Sequence, residues 1–599
     1  MKRQTIVQRV LVYVIMACAL SVAPLSAVPN GAHFISLDSW LYEALDSLYL
    51  ESAKVVPFTA RPYTVDEYQY YLKHIESSEL SESGRHTLKS IQKELVVSAL
   101  YNEEYSAFSY SAIISPELYA NTNKKLIWDN AYQHYLNKYA YGYTERSPIL
   151  SLPIQFWGGD AFFAEVDIDI KEQPGVGLYP TSSFNQPATN APYVNWGNIP
   201  LGFDHIYHHF PDSYYLSYSK PHWSFYLGSG EYSIGTGRTG NLILSKDADK
   251  IPAVRMSWYN KIFKYNFSYL SLNPGLSNTG SFTDENGNVR MALDLENLTN
   301  GYNPNIYSTN LTGTDFKDYM DTGLYPYKGY LTHSMEFRFL SEKVYAAVTE
   351  SAVYARAVPE LFTFMPLAFW HNTNNGEQTN SLLALDVQAA IGKYGYLYAS
   401  GVLDQFTMSH ESDSLDPPAY GFIVGALSRT PAGKGYITGG VEYVNTSDWL
   451  YTHKYWLQTP TVTQRNTAIT RGGYTVRMLG YSEGNDYSQL HLELGYTEFG
   501  HYNLTASYNY GVKGPYDVFM RLPQKDGAGN IVRPEGDRKN WPDAIHHQVG
   551  IKGEYQLQDA FTFGMHLYYT HVTNYKHEAG NTMQNLEMSV GVRLDVGAL

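Results

Sequence analysis

The sequence predicts a mainly β protein: a large antiparallel transmembrane β-barrel of about 18 strands with a small N-terminal helical bundle. Three observations predict it. From about residue 105 the apolar residues recur with a period of two, in segments close to the roughly 9–11 residues that a tilted strand needs to cross a bilayer. Beyond residue 27 no apolar run approaches the roughly 18–20 residues of a membrane-spanning helix, so a chain placed in a membrane must be there as a closed barrel. Short turns alternate with long polar loops near 173–212, 273–328 and 522–544, which is unusual in a compact soluble domain but normal in a membrane barrel.

The elements follow in order. Lys2, Arg3 and Arg9 form a positive start, Val10 to Val22 is apolar and uncharged, and Leu25-Ser26-Ala27 suits cleavage. Residues 1–27 are therefore expected to be a signal peptide. The single cysteine, Cys18, lies inside it. "IMAC" is a loose lipoprotein box, but the apolar run continues beyond the cysteine, which argues against lipidation. The remaining chain then has no disulfide, thiolate metal site or cysteine nucleophile.

Residues 28–104 read as the helical bundle. Leu37, Leu41, Leu45 and Leu48 share one helix face after Ser36. Arg61-Pro62 stops an earlier helix, and Thr64-x-x-Glu67 is a capping box for a second one bearing Tyr68, Tyr71, Leu72 and Ile75. Leu88, Ile91 and Leu95 mark a third. Such a unit is small for an independent core, so it is expected to pack on the rest of the protein.

Residues 105–599 read as the barrel. In "YNLTASYNYG" Tyr502, Leu504, Ala506, Tyr508 and Tyr510 oppose Asn503, Thr505, Ser507 and Asn509. "NLEMSVGVRLDV" and "KYNFSYLSL" alternate in the same way. A soluble sandwich or propeller also alternates, but the strands here are long and no 40–50-residue repeat is visible. The net charge of −15 argues against nucleic acid as a partner. Tyrosine, with 55 copies, suits the boundary between apolar and wet surroundings, and most copies are expected in membrane girdles and strand packing.

One stretch invites an enzymatic reading. "SIGTGRTGNLILS" contains Gly235-x-Gly237-x-x-Gly240, the pattern of a dinucleotide-binding turn. That reading requires a helix to follow. Instead "NLILSKDADKIP" alternates and reaches a charged turn with Pro252. A glycine-bent junction between barrel strands is expected. Asp204, His205, His208 and His209 would hold a metal only on a helix, and their Pro- and Gly-rich surroundings read as a wet loop. His546 and His547 begin a strand and must point to opposite faces. No carboxylate pair or serine triad is selected by spacing. The expectation is a non-enzyme with no cofactor and no catalytic or metal residues, and with its ligand-binding residues unassigned.

Five features occur in order. Arg61-Pro62-Tyr63-Thr64 follows the first helix, and the glycine element leads into Leu242-Ile243-Leu244-Ser245. "FMPLAFWHNTNN" (364–375), "LYASGVLDQF" (397–406) and "LGYSEGNDYSQLHLEL" (479–494) come next. With these the chain resembles the capsule assembly Wzi family of outer-membrane proteins from about residue 36 onward. The resemblance implies a helical bundle on a barrel of about 18 strands, exported through a cleaved signal peptide to the bacterial outer membrane. It implies a non-catalytic, lectin-like role in attaching or organising surface (capsular) polysaccharide. The implied partners are that polysaccharide, outer-membrane lipid and the barrel-insertion machinery. Gly235, Gly237, Asn241, Leu244 and Ser245 fall on the family motif as structural residues. Ile234 stands where the family usually has Trp, and the chain ends in Leu599 where an aromatic residue is typical. The family's sugar contacts match no motif here. A polar lumen with long loops suits a porin-like channel for small polar solutes equally well.

Overall fold

The computed structural model describes residues 25–28, 30–95, 97–99, 101–103, 106–123, 146–171, 196–200, 206, 211, 213–272, 281–283, 289–291, 327–356, 365, 370, 379–405, 417–453, 458–465, 474–518, 524–525, 531–532, 540–558 and 560–596. The bulk of the three long loops, most of 364–375 and the histidines at 205, 208 and 209 lie outside the described residues.

Eighteen antiparallel strands close into a barrel. The first, β1, runs in three pieces, Ser106–Tyr110, Ile113–Ile114 and Glu117–Asn121. It is followed by β2 (Leu150–Gly158), β3 (Phe162–Ile170), β4 (Ser213–Lys220), β5 (Trp223–Gly230) and β6 (Ile251–Tyr259). Next come β7 (Phe263–Leu272), β8 (Tyr327–Phe339), β9 (Val344–Arg356), β10 (Thr379–Ala390), β11 (Gly395–Gln405) and β12 (Ala419–Ala432). The last six are β13 (Gly435–Thr446), β14 (Tyr487–Glu498), β15 (Tyr502–Lys513), β16 (Ala544–Gln558), β17 (Phe561–Thr573) and β18 (Thr582–Asp595). β18 closes on β1 through Glu587↔Asn121 and Leu594↔Ile114. The start of β1 pairs instead with β2, from Ser106↔Gly158 to Tyr110↔Ile154. Pro116 interrupts β1, having no N–H to give to a ladder.

The pleat sorts residues by chemistry. On β14, Leu492 and Leu494 point outward and are exposed, while Glu493 is turned to the lumen. On β18, Leu586 and Met588 are 42% exposed, against 7% for Glu587 and Ser589. An apolar belt therefore surrounds a polar lumen, the inverse of a soluble β-domain. Exposed Tyr218, Trp223, Trp258 and Tyr555 gather toward the end with the short turns. Among the described residues no helix is long and apolar enough to cross a membrane.

Three helices, α1 (Leu41–Glu51), α2 (Val65–Leu72) and α3 (Glu82–Glu94), fill the short-turn end of the lumen. The first begins at Leu41, after a turn, rather than at Leu37. The helices touch each other: the Tyr68 hydroxyl donates to Leu41 O at 2.7 Å and the Tyr49 hydroxyl to Tyr71 O at 3.0 Å. Their apolar core is completed by the wall residues Tyr259, Tyr345, Tyr436 and Phe499. The bundle is thus a plug whose core is shared with the barrel. Val55 N–H donates to Glu342 O at 2.9 Å and Ser83 Oγ to Gly433 O at 2.9 Å, which ties the plug to two short turns.

The cap at α2 forms by half. Thr64 Oγ1 accepts from Glu67 N–H at 3.2 Å. The Glu67 carboxylate does not return to complete the box, because buried Lys264 on β7 takes it as its counter-ion. Tyrosine also departs from expectation. Tyr49, Tyr63, Tyr68, Tyr71, Tyr330 and Tyr436 are fully buried inside the lumen. A buried hydroxyl needs a partner, and carbonyls and carboxylates of the plug supply it for Tyr49 and Tyr436.

Candidate binding site in the barrel lumen

The connection from β5 to β6 turns inward. Ser233 and Arg61 exchange backbone hydrogen bonds at 2.9 and 3.1 Å, so the loop meets the plug. Ile234 and Leu244 form an isolated bridge that closes the loop on itself. Between them Gly235 has φ +134° and Gly240 φ +155°, values that side chains resist. A Cβ on Gly237 would stand 1.9 Å from Gly240 O. Asn241 Oδ1 accepts from Gly237 N–H at 3.0 Å, and Asn241 Nδ2 donates to Ser233 Oγ at 2.8 Å. Leu244 is buried in an apolar cluster with Leu242, Ile423 and Leu479, while Ser245 N–H donates to Leu479 O at 2.7 Å. The stretch after Gly240 bends and leads to a single short 3₁₀ turn at Lys246–Ala248, so no dinucleotide-type helix follows.

The glycine turn does hold an anion, and the anion is the barrel's own. Glu442 on β13 accepts from Arg238 N–H at 2.7 Å, from Thr239 N–H at 2.9 Å and from Thr239 Oγ1 at 2.5 Å. Asp386 on β10 accepts from Thr236 N–H at 3.3 Å. Consecutive free N–H groups make an anion nest, and wall carboxylates occupy it. Arg238 then reaches Glu493 on β14 at 2.8 Å and Glu43 on α1 at 3.5 Å. Arg429 on β12 also pairs with Glu43, at 2.9 Å. Burial alone would raise the Glu43 carboxyl, but Arg429 and Arg238 hold it below the usual carboxylate value. Loop, plug and wall are thus joined by charge-assisted bonds.

Beside this junction lies a polar cavity of about 500 Å³. Its walls come from α1, the inward loop and β13 to β17. A hydrogen-bonded ladder crosses it: His491 to Asn509 at 2.6 Å, Asn509 Nδ2 to Gln548 Oε1 at 3.2 Å, and Gln548 Nε2 to Thr570 Oγ1 at 3.2 Å. Toward the long-loop end, Tyr487 stacks on His546 with centroids 5.8 Å apart, and Tyr481 leans on Tyr487 at 5.9 Å. His547 points the other way, toward Tyr508 and Tyr510. Amides, hydroxyls and ring faces are the groups that bind uncharged polyhydroxylated molecules.

The sequence singled out Gly235, Gly237, Asn241, Leu244 and Ser245, and the structure brings all five into one lumenal loop. Sequence reasoning missed Glu442, Arg238, Glu493 and the amide ladder. The signal available was weak: a polar residue at every second position of the strands.

No protein-family pattern and no curated protein matches the chain. Among solved structures, the chain is similar to Wzi, described as an outer-membrane protein involved in group 1 capsule assembly in Escherichia coli and a carbohydrate-binding β-barrel. The TM-score is 0.54 at 11% identity, covering 94% of this chain and 99% of that one. It also matches the outer-membrane channel DcaP of Acinetobacter baumannii at TM-score 0.33 and 9% identity, over 83% of this chain and 99% of that one. OprD of Pseudomonas aeruginosa matches at TM-score 0.36 and 7% identity, over 82% and 94%. The chain has the fold of an outer-membrane β-barrel.

Proposed function

We propose that the protein is a non-catalytic, lectin-like barrel of the bacterial outer membrane that binds and organises surface polysaccharide, in the manner of the Wzi family. One observation carries this reading. Among the described residues a plug enters the lumen from one end and a folded-in loop from the other, and the cavity beside them is lined by amides, hydroxyls and tyrosines together with charged groups such as Glu43, Arg238, Glu493 and Lys552. A diffusion channel needs a continuous aqueous path, whereas a binding site needs a walled pocket with convergent polar groups. The apolar belt supports a membrane location, with lipid outside and the insertion machinery needed to place it there.

In this reading residues 1–27 are the cleaved leader, 28–104 the plug and 105–599 the barrel. Gly235, Gly237, Asn241, Leu244 and Ser245 serve as structural residues that hold the loop against the wall. Cavity residues such as Tyr487, Asn509 and Gln548 contact sugar. Deleting the gene should release surface polysaccharide into the medium, measured as the ratio of shed to cell-bound glycan. Unchanged retention would contradict the proposal. The channel alternative is separated by planar-bilayer recording: the full-length protein should show no sustained conductance, and steady single-channel currents would favour the channel.

A further inference from the structure

We propose that the plug is fastened to the barrel by a divalent transition-metal site of the zinc class, formed by His86 on α3, by Glu498 at the end of β14 and by His501 on the turn that follows. The site is independent of the polysaccharide reading. The three side chains each offer one ligand atom, and those atoms lie within 4.8 Å of one another. His86 Nε2 is 3.7 Å from Glu498 Oε1, and the His86 and His501 rings have centroids 5.6 Å apart. A zinc ion about 2.0–2.2 Å from each ligand needs ligand atoms roughly 3–4 Å apart, so small side-chain rotations close the set. Two imidazoles and a carboxylate are a borderline donor set that selects zinc-like ions over calcium or magnesium, which prefer oxygen. Three protein ligands leave a fourth position for water.

The ligands sit on rigid supports. His501 N–H donates to Glu498 O at 2.9 Å and His501 O accepts from Gln556 N–H at 2.7 Å, which fixes the turn. Gly500 holds φ +79° at its apex, and a Cβ there would meet Trp40 of the plug at 3.3 Å. His86 comes from the facing helix, so the ion would join two elements far apart in the chain. No ring nitrogen of His86 is already committed: Nε2 faces the carboxylate, and Nδ1 is buried with no hydrogen-bond partner among the described residues.

The test is titration of untagged, full-length protein in detergent with zinc sulfate, with a chelator-treated sample as reference. One ion should bind per chain. His86→Ala and His501→Ala should each weaken binding at least tenfold, while His577→Ala at the opposite end should not. Added zinc should slow trypsin cleavage at Lys89 and Lys93 in the wild type and not in the two site variants. Heat-modifiable migration on gels checks that each variant keeps a folded barrel. X-ray absorption of the zinc-loaded protein should show imidazole scattering. Zinc binding unchanged in both site variants, no binding at micromolar ion, or a zinc spectrum without imidazole would each overturn the site.

Discussion

At Glu442 two backbone N–H groups of the glycine turn converge on one carboxylate. Hydrogen bonds to a charged group contribute about 1.5–3 kcal/mol each, so Glu442→Gln should destabilise the barrel measurably, read as a lower denaturation midpoint. Gly237→Ala should free the loop, since the new Cβ falls on Gly240 O, and Arg238 should become accessible to trypsin. A wild-type digestion pattern in that variant would show that the turn can relax in place. Glu231, in the same loop, gives a pH signature. Burial, with Asp38 and Asp249 nearby, pushes it up to about 7, from 4.5. The native state then holds its proton where the unfolded chain has lost it, so this contribution is full below pH 4.5 and is lost as pH rises through about 7. Glu231→Gln should match the wild type at pH about 4 and exceed it in thermal stability at pH about 8. At this scale the sequence was half legible. Glycines at 235, 237 and 240 announce a strained turn, but nothing in the spacing tells which lumenal carboxylate will meet it.

The elements were more legible, because each rests on a local rule. Strand periodicity sorts Leu586 and Met588 from Glu587 and Ser589 without tertiary knowledge. Thr64 marks the start of α2, and Thr64→Ala should cost about 1 kcal/mol, checked by the shift in melting temperature. Full retention of stability would mean that the plug's contacts with the wall carry the helix alone. What local rules miss is competition for a side chain. Glu67 belongs to the capping box by sequence, yet Lys264, nearly two hundred positions away, takes its carboxylate. The inward tyrosines escape a reading of most tyrosines as girdle and strand-packing residues for the same reason: their hydroxyl partners, such as Glu51 for Tyr436, come from the plug.

For the whole molecule, two insertions shape the lumen of one barrel. Helices enter from the short-turn end, the β5–β6 loop folds in from the opposite end, and Arg238 joins them through Glu43. Beside that junction lies a polar cavity of about 500 Å³, walled by α1, the loop and β13 to β17. The most direct test is binding of the purified full-length protein to surface polysaccharide from its own cells. The account predicts saturable binding that falls about tenfold or more in Tyr487→Ala and Asn509→Ala, with the barrel still folded, as loss of a stacking or hydrogen-bonding contact implies. Absence of binding, or binding unchanged in both variants, would contradict a lumenal glycan site.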